Sequence, residues 1–264
     1  MQKFKDSLSY PEKKAFFRQV ITVYGRKPVL EALQNSSLTC LKLHLATSNN
    51  SSTILDSILH EAALQQLEVV HHDRQALSRI SKNRKQDQGV CLDVYCPDHR
   101  ELSDYLQTLQ QRPFARKQRL LAVDGITNPQ NLGMLIRTAC AGDINGILIA
   151  EKGSAKLDAL TIKASAGTIF RAPILRCQQL DEALKLCRQD YRAEVIGLSS
   201  RGEISLADYL EPDLVIYVLG NETRGISDLV AKQCNRKLKI DMNRGVESLN
   251  VAVTAGIIAF RSAL

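Results

Sequence analysis

Apolar residues in this chain gather into short continuous runs separated by longer mixed segments, and the runs are most regular downstream of Pro113. Leu120–Val123, Ile147–Ala150, Val195–Leu198 and Leu214–Leu219 are unbroken apolar stretches, the pattern of strands buried on both faces. Helix-length segments separate most of them, which predicts a parallel sheet covered by helices. Upstream the alternation is looser. It predicts a helix over Pro28–Gln34 with proline in its first turn, a strand over Leu41–Ala46 and a helix over Thr53–Leu67. Short strands are expected at Val69–Val70 and Val90–Val94. The expected layout is a basic arm over residues 1–21, a small α/β domain over 22–110, a basic linker over 111–119 and a larger α/β domain over 120–264.

The stretch Val251–Phe260 is almost wholly apolar. A helix apolar all round must be buried, and one domain rarely wraps its own terminus completely, so burial against a second subunit is expected.

Composition narrows the class. With 264 residues and 44% hydrophobic content, the chain suits a well-packed globular protein. No apolar run is long enough to span a bilayer, and Met1–Tyr10 is polar and lysine-bearing, so a soluble, cytoplasmic protein is expected. The seven cysteines are scattered without a CxxC pair; they read as small buried residues, and no metal site is expected. The net charge of +7 is compatible with a polyanionic partner. Its basic residues concentrate at Lys3, Lys5, Lys13, Lys14 and Arg18, and again at Arg112, Arg116, Lys117 and Arg119. Each cluster is either a solvated segment or a set of phosphate contacts.

Absent motifs narrow the chemistry further. No GxxxxGK[ST] loop occurs and no GxGxxG follows a strand, which argues against a P-loop nucleotidase and an ordinary dinucleotide site. All five histidines (His44, His60, His71, His72, His99) lie in the first hundred residues. A site in the larger domain must therefore work without a histidine of that domain as general base.

Three polar segments stand where such a site is expected, each after a strand-like run and before a helix-like one. The first is Asn128-Pro129-Gln130-Asn131-Leu132-Gly133, running on to Arg137. Pro129 stiffens its turn, and Gly133 lets the helix Met134–Ala141 pack closely. Asn131 reads either as a helix cap or as a loop residue facing a ligand. The second is Gly220-Asn221-Glu222-Thr223-Arg224-Gly225, where Gly220 permits close backbone approach, Glu222 brings a carboxylate, and Gly225-Ile226 starts a helix. The third, Glu247-Ser248-Leu249-Asn250, opens the last helix, with Ser248 as either an N-cap or a functional hydroxyl.

Taken in order, DGITNPQNLGMLIRTA, VLGNETRGIS and IDMNRGVESLNVAVTAGI resemble the three motifs of the SpoU (TrmH-like) 2′-O-ribose RNA methyltransferases of the SPOUT class, over residues 120–264. VYGRKPVLEAL and QGVCLDV are similar to the small ribosomal-protein-like RNA-binding domain that precedes the catalytic domain in many members. The resemblance implies S-adenosylmethionine as cofactor, a deep trefoil knot formed by the C-terminal segment, and a homodimer through the knot and the C-terminal helix. It implies catalytic and substrate-positioning roles for Asn131, Arg137, Glu222, Ser248 and Asn250. It also implies cofactor contacts from the backbone at Leu219, Gly220, Ile240, Met242 and Leu249. The expected reaction is methylation of a ribose 2′-hydroxyl in structured RNA, rRNA ahead of tRNA; the alternative is a non-catalytic RNA-binding or ribosome-assembly protein retaining the fold. Thr168-Ile169-Phe170 departs from the small and acidic residues that many members carry there, which bears on substrate detail. In the family Arg137 matches the proposed base. A guanidinium is normally protonated, so Arg137 either loses its proton locally or stays charged and orients phosphate while Glu222 or solvent takes the proton.

Overall fold

The computed structural model describes residues 16–111 and 117–261, so the expected phosphate contacts at Lys3, Lys5, Lys13, Lys14, Arg112 and Arg116 lie outside the described residues. Contacts divide the chain into two compact units: the first runs to Pro97 and includes Leu157–Ala159, and the second takes Asp98–Lys156 and the residues from Leu160 on.

The first unit is built on four strands, β1 (Val20–Tyr24), β2 (Thr39–Ala46), β3 (Glu68–His72) and β4 (Val90–Tyr95), in the order β1-β4-β2-β3. β4 is antiparallel to both neighbours, whereas β2 and β3 run parallel. The helices α1 (Arg26–Leu33), α2 (Thr53–Leu64) and α3 (Arg74–Ser81) belong to it as well. α1 starts two residues before the predicted position, because Gly25 with φ 93° turns the chain into it and Pro28 falls inside the first turn. α2 stops short of Leu67 because Gln66 takes a left-handed conformation. β1 begins at Val20, inside the segment read as the arm.

The second unit holds an eight-stranded sheet in the order β10-β12-β9-β11-β6-β7-β8-β5. Its strands are β5 (Arg100–Glu101), β6 (Gln118–Val123), β7 (Gly146–Ala150), β8 (Ile174–Cys177), β9 (Glu194–Leu198), β10 (Ile204–Ser205), β11 (Leu214–Leu219) and β12 (Arg236–Lys239). Every pairing between them is parallel. The helices are α4 (Leu102–Gln111), α5 (Pro129–Ala141), α6 (Ala159–Ala164), α7 (Leu180–Asp190), α8 (Asp228–Ala231) and α9 (Val251–Ala259). Leu120, Ala122, Leu148, Leu175, Ile216 and Val218 share one core with α4 and α7. Alternate positions Leu121, Ile147, Val215 and Tyr217 are fully buried on the opposite face, where α9 packs on α5 and touches β11.

The sequence places the domain boundary within residues 111–119, whereas the contacts place it between Pro97 and Asp98. The reason is α4: its apolar face, Leu102, Tyr105 and Leu106, joins the core of the second unit, and β5 pairs with β8. Arg119 also departs from expectation. It is 5% exposed rather than a surface charge, and its Nη2 donates to Glu211 Oε2 at 2.6 Å. Tyr217 Oη donates to Glu211 Oε1 at 2.7 Å, and Arg261 Nη1 donates to Tyr217 Oη at 3.0 Å. This buried network ties β6, β11 and the end of α9 together.

Candidate active site

The strand order sets the position of the site. From β6 the chain moves to β7 and β8 on one side, then fills β9, β11 and β12 on the other. The carboxyl ends of neighbouring β6 and β11 therefore border a crevice at a topological switch point, where open α/β sheets bind ligands. The first loop leaves β6 and the second leaves β11. The third leaves β12 and returns to α9, which packs on α5.

Each loop is shaped by its own polar residues. Asn128 caps α5, its side chain accepting from the Gln130 amide at 2.8 Å, with Pro129 at the first helical position. Asn131 is thus not the cap; it lies within the first turn and its side chain is free for other partners. Gly133 meets Thr161, Ala164 and Ser165 so closely that an added Cβ would lie 2.5 Å from the Ala164 Cβ, as the predicted close packing requires.

The second loop is a closed turn rather than a helix start. Asn221 and Gly225 exchange backbone hydrogen bonds of 3.0 and 2.8 Å, and the Asn221 side chain accepts from the amides of Thr223 and Arg224. α8 begins only at Asp228, after Ser227. An added Cβ at Gly220 would lie 2.4 Å from the Gly225 carbonyl carbon, so the loop itself requires glycine there. Asn221 Nδ2 donates to the Gly125 carbonyl at 2.9 Å, and the Ser227 amide donates to Asp124 Oδ2 at 2.6 Å, fastening the second loop to the first.

In the third loop Asn250, not Ser248, caps the helix, accepting from the Ala252 amide at 2.8 Å. At its other end the Ser205 side chain hydrogen-bonds Asp241, and with Lys239 nearby it holds the exposed Asp241 carboxyl below its ordinary range.

One hydrogen-bonded chain joins all three loops. Asn131 Nδ2 donates to Glu222 Oε1 at 2.5 Å, and Asn250 Nδ2 donates to Asn131 Oδ1 at 3.1 Å. Three of the five predicted catalytic residues therefore meet, from positions far apart in sequence. Arg137 and Ser248 do not join them: both are exposed, and their side chains make no hydrogen bond or ion pair among the described residues. Of the expected cofactor contacts, Leu219 is buried and its carbonyl accepts from the Asp124 amide at 2.9 Å. Gly220, Ile240, Met242 and Leu249 are half-buried, and among the described residues they make no backbone hydrogen bond in these loops. Half-buried main-chain groups without partners suit a ligand gripped by backbone donors and acceptors. Asn128, Asn221 and Asp124 were not predicted as site residues; their one signal was their type, since Asn and Asp at strand ends shape turns and caps.

Comparison with known proteins agrees with this architecture. Residues 118–260 match the model of the SpoU rRNA Methylase family, and residues 22–97 match the RNA 2′-O ribose methyltransferase substrate binding family. An uncharacterized tRNA/rRNA methyltransferase of Mycobacterium leprae is 34% identical over 237 residues, covering 90% of this chain and 75% of the relative. A counterpart in Mycobacterium tuberculosis is 32% identical, with 90% and 72% covered. Among solved structures, the SpoU methyltransferase AviRb from Streptomyces viridochromogenes, in complex with AdoMet, superposes with a TM-score of 0.59 at 20% identity, covering 98% of this chain and 94% of that one. An AdoMet-bound rRNA methyltransferase from Sinorhizobium meliloti gives 0.59 at 21% identity, covering 96% and 91%. These likenesses establish the fold. The chain belongs to the SpoU rRNA methylase family.

Proposed function

We propose that the chain transfers a methyl group from S-adenosylmethionine to the 2′-hydroxyl of a ribose in structured RNA, rRNA ahead of tRNA, in the cytoplasm. The observation that carries this reading is the hydrogen-bonded chain Glu222–Asn131–Asn250 at the switch-point crevice. It fixes one carboxylate and two amides around a single point, as alignment of two reactants demands. The relatives named as tRNA/rRNA methyltransferases support the substrate class.

The unpaired main-chain groups of Gly220, Ile240, Met242 and Leu249 suit the cofactor, which supplies an electrophilic methyl group when bound. The remaining work falls to side chains. The second carboxylate oxygen of Glu222 carries no hydrogen bond among the described residues, leaving it open to accept the ribose proton. Arg137, exposed on α5, keeps its charge and orients a phosphate of the RNA. Ser248 contacts the substrate from the third loop.

α9 supports a homodimer. Its inner face is buried through Val251, Ala252, Ala255, Ile258 and Ala259, but Val253 remains 52% exposed and the capping Phe260 40%. A second copy laid on that stripe would cover it. Two strands, β9 and β11, separate β12 from β6, so the return to α9 crosses their carboxyl ends, which suits the trefoil knot.

The test is direct: incubate the purified chain with rRNA or tRNA and S-adenosylmethionine labelled at the methyl carbon, digest the RNA, and identify the products by mass spectrometry. A 2′-O-methyl nucleotide at a defined position of rRNA is expected. Label on a base, or on neither RNA, would overturn the reading.

A further inference from the structure

The first unit carries a concentration of charge that the site above does not use. Lys82, Arg84 and Lys85 lie on the loop between α3 and β4; all three are exposed, and their side chains make no ion pair or hydrogen bond among the described residues. The segment Lys82–Gln86 contains no acidic residue, and Lys82–Gln88 contains no apolar one.

The loop is fastened to its unit by polar contacts. Asp87 follows it with a fully buried side chain, 0% exposed, and pairs with Arg74 Nη1 at 2.7 Å. The same carboxylate accepts from Ser81 Oγ and from the Gly89 amide, each at 2.9 Å. Its charge is therefore spent inside the protein and does not offset the cations outside. Asn83 Nδ2 donates to Tyr24 Oη at 3.0 Å, Arg74 Nη2 to the Arg84 carbonyl at 3.0 Å, and the Arg26 amide to Gln88 Oε1 at 3.0 Å. The loop is thus fastened at Asn83, Arg84 and Gln88 while the cationic side chains stay exposed.

A buried carboxylate is costly unless it is paired and hydrogen-bonded, and the satisfied Asp87 anchors a loop whose outward face is all cation and amide. That arrangement matches a row of phosphates. A membrane surface would be met with apolar side chains beside the charges, and the loop has none.

We propose that the loop Lys82–Gln88 is an RNA-docking edge of the first unit, with Lys82, Arg84 and Lys85 contacting backbone phosphates of the substrate. This rests on the reading that the substrate is RNA. The contacts are sequence-independent and serve to position the RNA.

The experiment compares full-length wild type with the triple variant Lys82→Ala/Arg84→Ala/Lys85→Ala. Binding to the rRNA transcript is measured across a series of salt concentrations, alongside KM and kcat for methylation. Each phosphate contact contributes roughly 0.7 to 0.9 to the slope of log affinity against log salt, so the triple variant should lose about 2 to 3 from that slope. KM for RNA should rise about tenfold or more, with kcat and binding of S-adenosylhomocysteine unchanged. The charge-retaining variant Lys82→Arg/Arg84→Lys/Lys85→Arg should keep the wild-type slope. An unchanged slope in the alanine variant, or an equal loss on replacing exposed Lys152, Lys185 and Lys232, would overturn the proposal. Because RNA binding is measured apart from methyl transfer, wild type that binds RNA yet transfers no methyl overturns the function and leaves the loop tested.

Discussion

Asn131 is the residue on which the candidate site converges. Its amide uses both ends, donating to Glu222 and accepting from Asn250, so neither a carboxylate nor a hydrocarbon can replace it. Asn131→Asp would set two carboxylates at hydrogen-bonding distance and remove the donor. The single-turnover rate is expected to fall about a hundredfold, as for a small misplacement of reacting groups, with the melting temperature little changed because Glu222 and Asn250 are exposed. A variant with wild-type rate would remove the hydrogen-bonded chain from the mechanism. The residues of this site were legible through the resemblance of the three segments to the family's motifs; taken singly, an asparagine at a helix start is explained as well by capping. Their mutual bonding was not legible, since Asn250 and Asn131 are 119 positions apart and spacing carries no information at that range. The caps show the same limit locally: Asn128 and Asn250 take the role that Asn131 and Ser248 were open to, a shift of three residues in one helix and two in the other.

At the level of elements, β6, β7, β9 and β11 were legible because burial on both faces leaves an uninterrupted apolar run. β12, with the sequence Arg-Lys-Leu-Lys, was not: three of its four positions stay partly open to solvent, and only Leu238 is buried. β5 and β10 are two residues each and carry no periodicity. Helix packing against α5 depends on Gly133. Gly133→Ala would drive a methyl group to 2.6 Å from the Thr161 carbonyl oxygen, and overpacking of this kind costs about 1–3 kcal/mol. Gly256→Ala, whose nearest neighbour would be the Thr138 methyl at 3.2 Å, should cost less, since alanine also favours the helix. Urea midpoints of the two variants would show the order; equal midpoints would mean that α5 and α6 separate freely.

Two buried groups set how the whole molecule responds to acid. His99 is fully buried, with Nε2 2.8 Å from the Ile169 carbonyl oxygen, and burial pushes its imidazole down to about 4. The folded state therefore binds a proton less readily than the unfolded chain. Stability is complete above the ordinary value of 6.5 and falls as pH drops from there to about 4, by on the order of 3 kcal/mol. Burial raises the Glu211 carboxyl, but hydrogen bonds from Arg119 and Tyr217 and the charges of Arg119 and Arg261 outweigh it and hold the group below its usual 4.5. Its contribution is present above that value and is lost as pH falls through the depressed one. Urea unfolding between pH 4 and 7 should show the His99 slope in wild type and a flatter profile in His99→Gln; parallel profiles would place the acid sensitivity elsewhere. Neither group was legible in sequence as a buried titratable side chain. Arg119 stood in a run that looked like linker, and its partner Glu211 is 92 positions away.

Asn250 also sets an order of events. Asn131 leaves the ribosome long before the partner 119 positions later in the chain. At roughly 5–20 residues per second, the first loop waits on the order of ten seconds for the amide that completes it. The same side chain caps α9, so one residue closes the cluster and opens the helix, and the crevice stays unfinished until Asn250 is made.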